Sequence, residues 1–395
     1  MTAQRAIAYR NLMLLAPVLS IGVWIALSHQ GVDPNGKPLG TDFVSFWTAS
    51  HVALTGSFRD AYDIAVHWAA QKALFPASSL GYTAFFYPPV FLLICLPLSL
   101  LPYFWSLACW LGLTGFACWR ALRRLADGAL PALTFLAFPA VYLNAMFGQN
   151  GYLTTALYAA AATTLAKRPA LAGVCLGALV FKPQLLVMVP VVLLAARLWT
   201  TIAAAAATAC ALCLVSLAVL GGDAWRGFLS HTDLARATLE QNLVGAAKMQ
   251  SVYAAAQLVG ASATAAYAAQ IVAALAAAAV LIRLCRVVSG GEALVAAAAA
   301  APLATPFLLG YDLMLLSIPL LWVWKQARAT GFLPWEKAVL IAGFLLPMVS
   351  SAAAANLMLP LAPPVCAALF ATVARRLMRS ETSAGAVELA PPAPA

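Results

Sequence analysis

Asn11 to Ser28 reads NLMLLAPVLSIGVWIALS, close to the roughly 20 apolar residues that an α-helix needs to cross a bilayer. Arg5 and Arg10 stand directly behind this run, which puts its far end on the outer side of a membrane by the positive-inside rule. No small-residue cleavage site follows with conviction, so the run reads as a retained first helix, not a removed signal peptide. Just beyond it the chain continues Gly40-Thr41-Asp42-Phe43-Val44-Ser45-Phe46-Trp47, then passes His51 and Gly56 to Ala61-Tyr62-Asp63. An acid at the mouth of the first span points to chemistry at a membrane surface.

Composition carries the same reading through the rest of the 395 residues. Hydrophobic residues make up 64% and charged residues 9%, the mean hydropathy is +0.89, and a soluble domain would carry about a quarter charged residues. The net charge of +10 does not indicate nucleic acid, because Lys and Arg sit in short clusters between apolar runs. The eight cysteines, Cys95, Cys109, Cys118, Cys175, Cys210, Cys213, Cys285 and Cys366, lie in or beside apolar segments. Cys210 and Cys213 alone stand at CxxC spacing, inside an apolar run and with no second pair, so neither a metal site nor a disulfide framework is expected.

The basic clusters set the expected topology. Arg120/Arg123/Arg124, Lys167/Arg168, Arg197, Arg283/Arg286, Lys325/Arg328 and Arg375/Arg376/Arg379 all belong on one side, so each interval between neighbours must cross an even number of times. Only 28 residues separate Arg168 from Arg197, too few for two full spans, and Lys182-Pro183 interrupts them. Two half-helices meeting at Lys182 satisfy the count. Residues 85 to 101, with Pro88, Pro89 and Pro97 and with Pro102 following, read as a surface or half-embedded helix before one crossing from about Tyr103. Later spans are expected at about 199–220, 263–283, 292–305, 308–324, 337–353 and 355–374. The expected architecture is an all-α polytopic bundle of about 10–12 membrane helices, forming a single membrane domain over residues 1–379. Residues 29–84 and 221–262 form outer-face loops, the first with amphipathic helices lying along the membrane surface. Residues 380–395 read as a disordered cytoplasmic tail.

Nearly every polar group that charge topology does not explain then falls on the outer face. Asp42 alone could be a helix cap, since Thr41-Asp42 precedes plausible helix, but it shares its face with Gln149, Asn150 and Lys182. An ammonium as deep as that of Lys182 needs a cavity or a partner, or must snorkel to the surface; in a cavity it would suit a lipid phosphate. Phe147-Gly148-Gln149-Asn150-Gly151 could be a plain turn, Tyr87-Pro88-Pro89 a plain helix start, and Asp312 after Thr305-Pro306 a helix cap. His51 and His67 read as surface histidines, and no third ligand at metal spacing accompanies them.

Taken in order, these motifs resemble glycosyltransferase family 87, the polyprenol-phosphate-dependent membrane enzymes of GT-C fold. The resemblance rests on Asp42-Phe43 with Gly56 and Tyr62-Asp63, Tyr87-Pro88-Pro89 with Pro97-Leu98, Gly148-Gln149-Asn150, Gly173 through Lys182-Pro183, and Thr305-Pro306 with Tyr311-Asp312. It implies transfer of a hexose, most often mannose, from a polyprenyl-phosphate sugar to an acceptor hydroxyl of a cell-envelope glycan or glycolipid. The setting it implies is a bacterial inner membrane with the site facing the periplasm or cell exterior. Asp42 matches the family's general base. Lys182 is the expected donor-phosphate ligand, and Tyr87, Gln149, Asn150, Tyr311 and Asp312 are expected around the substrates. No metal or other cofactor is called for. Some members carry a His near the late Pro motif where this chain offers Tyr311-Asp312, which leaves the acceptor side open, as are the roles of Asp63, Asp233 and Glu240. The rival class is a transporter or flippase of a lipid-linked or small anionic substrate, which would also use broken helices.

Overall fold

The computed structural model describes residues 3–388. It is helical throughout, with no β-strand among the described residues beyond isolated bridges. The first helix, α1 (Ala3–Ala26), is fully lipid-like in character: Leu12, Leu15, Val18, Leu19 and Val23 are all more than half exposed, as expected where the solvent is hydrocarbon. After it come α2 (Phe43–Thr55), α3 (Ile64–Leu74) and α4 (Pro89–Cys95), and then α5 (Tyr103–Leu125), which starts at the expected tyrosine and ends on Arg123 and Arg124.

The next spans are short and broken. α6 (Ala132–Leu136) and α7 (Pro139–Phe147) lead up to Gly148, and α8 (Gly151–Thr164) leads away to Lys167. α9 (Pro169–Ala178) tightens into a 3-10 turn over Leu179–Phe181, Lys182 leaves helical backbone, and a second 3-10 turn over Pro183–Leu186 opens α10 (Met188–Ala195). Pro183 removes a helix donor and disfavours helical backbone at Lys182, so the break falls where the spacing required it. α9 lies along α11 (Trp199–Ser230). A Cβ on Gly173 would stand 2.5 Å from the Thr201 carbonyl oxygen, and Gly177 faces the Ala205 carbonyl in the same way. This Gly-xxx-Gly pair lets two backbones approach as membrane helices do when no hydrophobic effect drives them together.

α12 (Thr232–Glu240) and α13 (Val252–Leu258) fill the second loop. α14 (Ala263–Leu284), α15 (Gly290–Ala304), α16 (Ser317–Thr330), α17 (Glu336–Leu357) and α18 (Ala362–Glu388) complete the bundle. The alanine run Ala296–Ala301 on α15 is wholly buried, touching neighbours on every side; small side chains are what a central membrane helix needs for close packing. At the end of the bundle that carries the basic clusters, Arg376 binds buried Glu336 through Nε and Nη2, both at 2.6 Å, and Lys325 pairs with Asp127.

Four helices are long and apolar enough to cross a membrane alone, and together with the shorter apolar helices they make this a multi-pass membrane protein. Two expectations change. The segment expected as a span from residue 308 begins as a 3-10 turn over Gly310–Leu316, and α-helix starts only at Ser317, because the Asp312 carboxylate binds the Leu309 amide and holds the tighter turn. α2 does not lie on the surface: Phe43, Val44, Ser45, Phe46, Thr48, Ala49 and Ser50 are all buried in protein. The end of the expected tail, residues 389–395, lies outside the described residues.

Candidate active site

Asp42 occupies the N-cap position of α2, yet its carboxylate makes no capping bond. Instead Oδ2 accepts from Gln149 Nε2 at 2.8 Å. Gln149 cannot turn its amide the other way without loss, since its Oε1 accepts from the Tyr87 hydroxyl at 3.2 Å and from the Asn150 amide at 3.1 Å. Tyr87 is in turn placed by Phe91, 4.4 Å away between ring centres, and by Tyr62, whose hydroxyl donates to the Tyr87 carbonyl. A chain of fixed donors therefore holds this one carboxylate in place.

The junction depends on a glycine. Asp42 donates its backbone N–H to the Phe147 carbonyl at 3.0 Å, docking the start of α2 on the end of α7. Gly148 closes α7 in left-handed backbone, with φ +67°, and a Cβ there would lie 2.5 Å from the Phe43 Cβ. Gly148→Ala is expected to cost about 1–2 kcal/mol through the left-handed backbone alone, with the clash against Phe43 added, and to lower transfer with it. An unchanged melting temperature and rate in purified protein would show that the α2–α7 junction does not hold the site.

Behind Asp42 lies a buried ion pair. Lys182 Nζ donates to Asp312 Oδ1 at 2.5 Å and to Asn150 Oδ1 at 2.8 Å, and both charged side chains are only 2% exposed. Its ammonium also stands 5.2 Å from the Tyr311 ring centre. Asp312 uses its other oxygen on the Leu309 amide, so it is both the cap that its position suggests and the counter-ion of a lysine 130 residues away. Lys182 neither snorkels nor stands free. Asp42, Tyr87, Gln149, Asn150, Lys182 and Asp312 thus meet within one hydrogen-bonded and ion-paired assembly, and the Tyr311 ring stands against its ammonium.

The charge state of Asp42, which lies outside the membrane-spanning segments, follows from this setting. Although part of its surface is open, loss of water around the carboxyl raises its pKa to about 6, opposed first by the Gln149 hydrogen bond and then by the charges of Lys248 and Lys182, with Asp312 pushing the same way as burial. A carboxylate of that basicity is matched to accepting a proton near neutral pH.

His67 is not on the surface. It is fully buried beneath α2, with Nε2 2.7 Å from the Thr48 hydroxyl and Nδ1 3.2 Å from the Tyr82 hydroxyl, and burial pulls its pKa down to about 4. It serves as a neutral brace for the helix that carries Asp42. Sequence reading also passed over Asn144, whose Nδ2 donates to the Tyr311 carbonyl at 3.0 Å and ties α7 to the Asp312 turn. A buried Asn four residues before the Gly-Gln-Asn motif was the available signal.

With this geometry in hand, the sequence profile of glycosyltransferase family 87 was found to match residues 85–309. The chain belongs to glycosyltransferase family 87. It is a membrane glycosyltransferase, acting with a sugar donor and an acceptor in a lipid bilayer. The match covers Tyr87, Gln149, Asn150 and Lys182, whereas Asp42, Tyr311 and Asp312 lie beyond its ends. No curated protein and no solved structure matches the chain.

Proposed function

We propose that this glycosyltransferase moves a hexose, mannose in our reading, from a polyprenyl-phosphate donor to an acceptor hydroxyl of a cell-envelope glycan or glycolipid. Asp42 is the general base, and the site faces the periplasm or exterior from a bacterial inner membrane. The observation that carries the reading is the Asp42 carboxylate, released from capping its own helix and held by Gln149 within reach of the charges of Lys182 and Asp312. As the acceptor oxygen bonds to the anomeric carbon, its proton passes to Asp42, and the bond from that carbon to the phosphate oxygen breaks with its electron pair going to phosphate. One displacement inverts the anomeric centre. Lys182 is retained as a donor-phosphate cation: two of its three ammonium hydrogens are taken by Asn150 and Asp312, leaving one for a phosphate oxygen. Tyr87, Asn150, Tyr311 and Asp312 shape the substrate side.

The basic clusters lie at the helix ends opposite Asp42, which supports the outward orientation. The test is transfer by purified protein in nanodiscs from labelled polyprenyl-phosphate mannose to a membrane glycolipid extract. Label is expected in a glycolipid product. Transfer from a nucleotide sugar, with none from mannosyl, glucosyl or arabinosyl polyprenyl phosphates, would overturn the donor assignment.

A further inference from the structure

The Phe147 ring stands at the edge of the assembly around Asp42 and Lys182. Its carbonyl accepts the Asp42 amide at 3.0 Å, so the ring and the carboxylate are carried by backbone joined through one hydrogen bond. Gly148, the next residue, is pressed against Phe43. The ring is therefore mounted on the same rigid junction as Asp42.

The neighbours of α7 show which way the ring points. Asn144 donates to the Tyr311 carbonyl, and Leu143 lies 3.5 Å from where a Cβ on Gly310 would stand. Phe147 follows these two residues on the same helical face and meets the Tyr311 ring, 6.0 Å between centres with 60° between planes. Tyr142, on the other side of α7, reaches the Leu14 carbonyl of α1. Phe147 thus faces the turn that holds Asp312, not the first helix.

Exposure sets this ring apart from the others. Phe43, Phe46, Phe85 and Phe91 are at most 1% exposed, and each touches two or more rings. Phe147 is only half-buried and, among the described residues, meets the single ring of Tyr311. That contact is edge-on, so it engages at most one face of Phe147. An aromatic face carries partial negative charge. The face of a pyranose that presents C–H groups is its complement, because the neighbouring oxygens leave those groups electron-poor.

We infer that Phe147 is the platform on which the sugar ring of the acceptor stacks by its C–H face, with the attacking hydroxyl beside Asp42. This rests on the reading of Asp42 as the base. The acceptor is favoured over the transferred hexose because the hydroxyl that meets Asp42 is the acceptor's, and Phe147 is bonded to Asp42 through backbone. The Lys182 ammonium, assigned to the donor phosphate, stands instead over Tyr311. The specificity that follows is for acceptors ending in a sugar ring over acyclic alcohols.

The test is donor and acceptor kinetics in nanodiscs, with an alkyl mannoside and an alkyl glycerol as acceptors. Phe147→Leu is expected to raise the mannoside KM about two- to tenfold, the worth of an aromatic contact, with kcat and the donor KM unmoved, and to narrow the preference over the glycerol. Phe147→Tyr should restore both, and Phe332→Leu, at an exposed ring on the end that carries the basic clusters, should match wild type. Replacing Phe147 by mono-, di- and trifluorinated phenylalanine drains charge from the ring face while keeping its shape, so the mannoside KM should climb with each fluorine. A ring that merely braced Tyr311 would respond to shape and would shift kcat or the donor KM. The fluorinated series decides the matter alone if Phe147→Leu does not fold. If wild type transfers sugar but that series is flat, or the donor KM moves in place of the mannoside KM, the platform is overturned and the reading of Asp42 stands. A mannoside KM that climbs with fluorination while Asp42→Asn keeps near-normal transfer overturns the base and leaves Phe147 as a sugar platform. No transfer by wild type to any sugar acceptor overturns both.

Discussion

Replacing Asp42 by Asn is expected to lower sugar transfer by roughly 10²–10⁴-fold, the usual worth of a positioned general base, while leaving folding and donor binding close to wild type. The reason lies in the contacts. Gln149 donates to Asp42 Oδ2, and the amide oxygen of Asn can accept the same bond, so the α2–α7 junction keeps its shape. Only the capacity to take a proton is lost. The same residue fixes the pH profile. With a pKa raised to about 6, the carboxyl is protonated and inactive as a base below that pH and ionised above it. For wild type, kcat/KM should therefore climb through about pH 6 to a plateau, and in Asp42→Asn the residual rate should lose that limb. A variant with near-normal transfer and an unaltered acid limb would remove Asp42 from the mechanism.

Much of this arrangement could be read before any coordinates, and what could not has a physical cause. Charge clusters and the 28-residue interval around Lys182 located the broken helix, because membrane topology is a counting constraint. Asp42 and the Gly-Gln-Asn motif stood out because polar residues are costly in such a chain. The burial of α2 was not legible. In a soluble protein an apolar stripe marks the inward face, but here hydrocarbon and protein interior select the same residues. α3 shows the consequence: His67 and Gln71 are its buried residues, while Ile64, Val66 and Trp68 face outward.

The Lys182–Asp312 pair gives the second large effect, and one that separates folding from function. Lys182→Met leaves the Asp312 carboxylate buried without its ammonium, and Asp312→Asn leaves the ammonium without its anion. Breaking a buried pair from one side costs about 3–5 kcal/mol, whereas removing both charges costs far less. The double variant Lys182→Met/Asp312→Asn should accordingly melt well above either single variant, all the more because an Asn at 312 can still accept from the Leu309 amide. Transfer should not recover with stability. In the double variant Asn150 loses the donor that fixes its side-chain oxygen, and the positive charge behind Asp42 is gone. Thermal unfolding of the four proteins in detergent measures the coupling, and transfer assays on the same samples measure the function. If the double variant were no more stable than the singles, the two charges would not be balancing one another. If it regained full activity, the pair would be a structural tie alone, and Lys182 would not be the cation that meets the leaving phosphate.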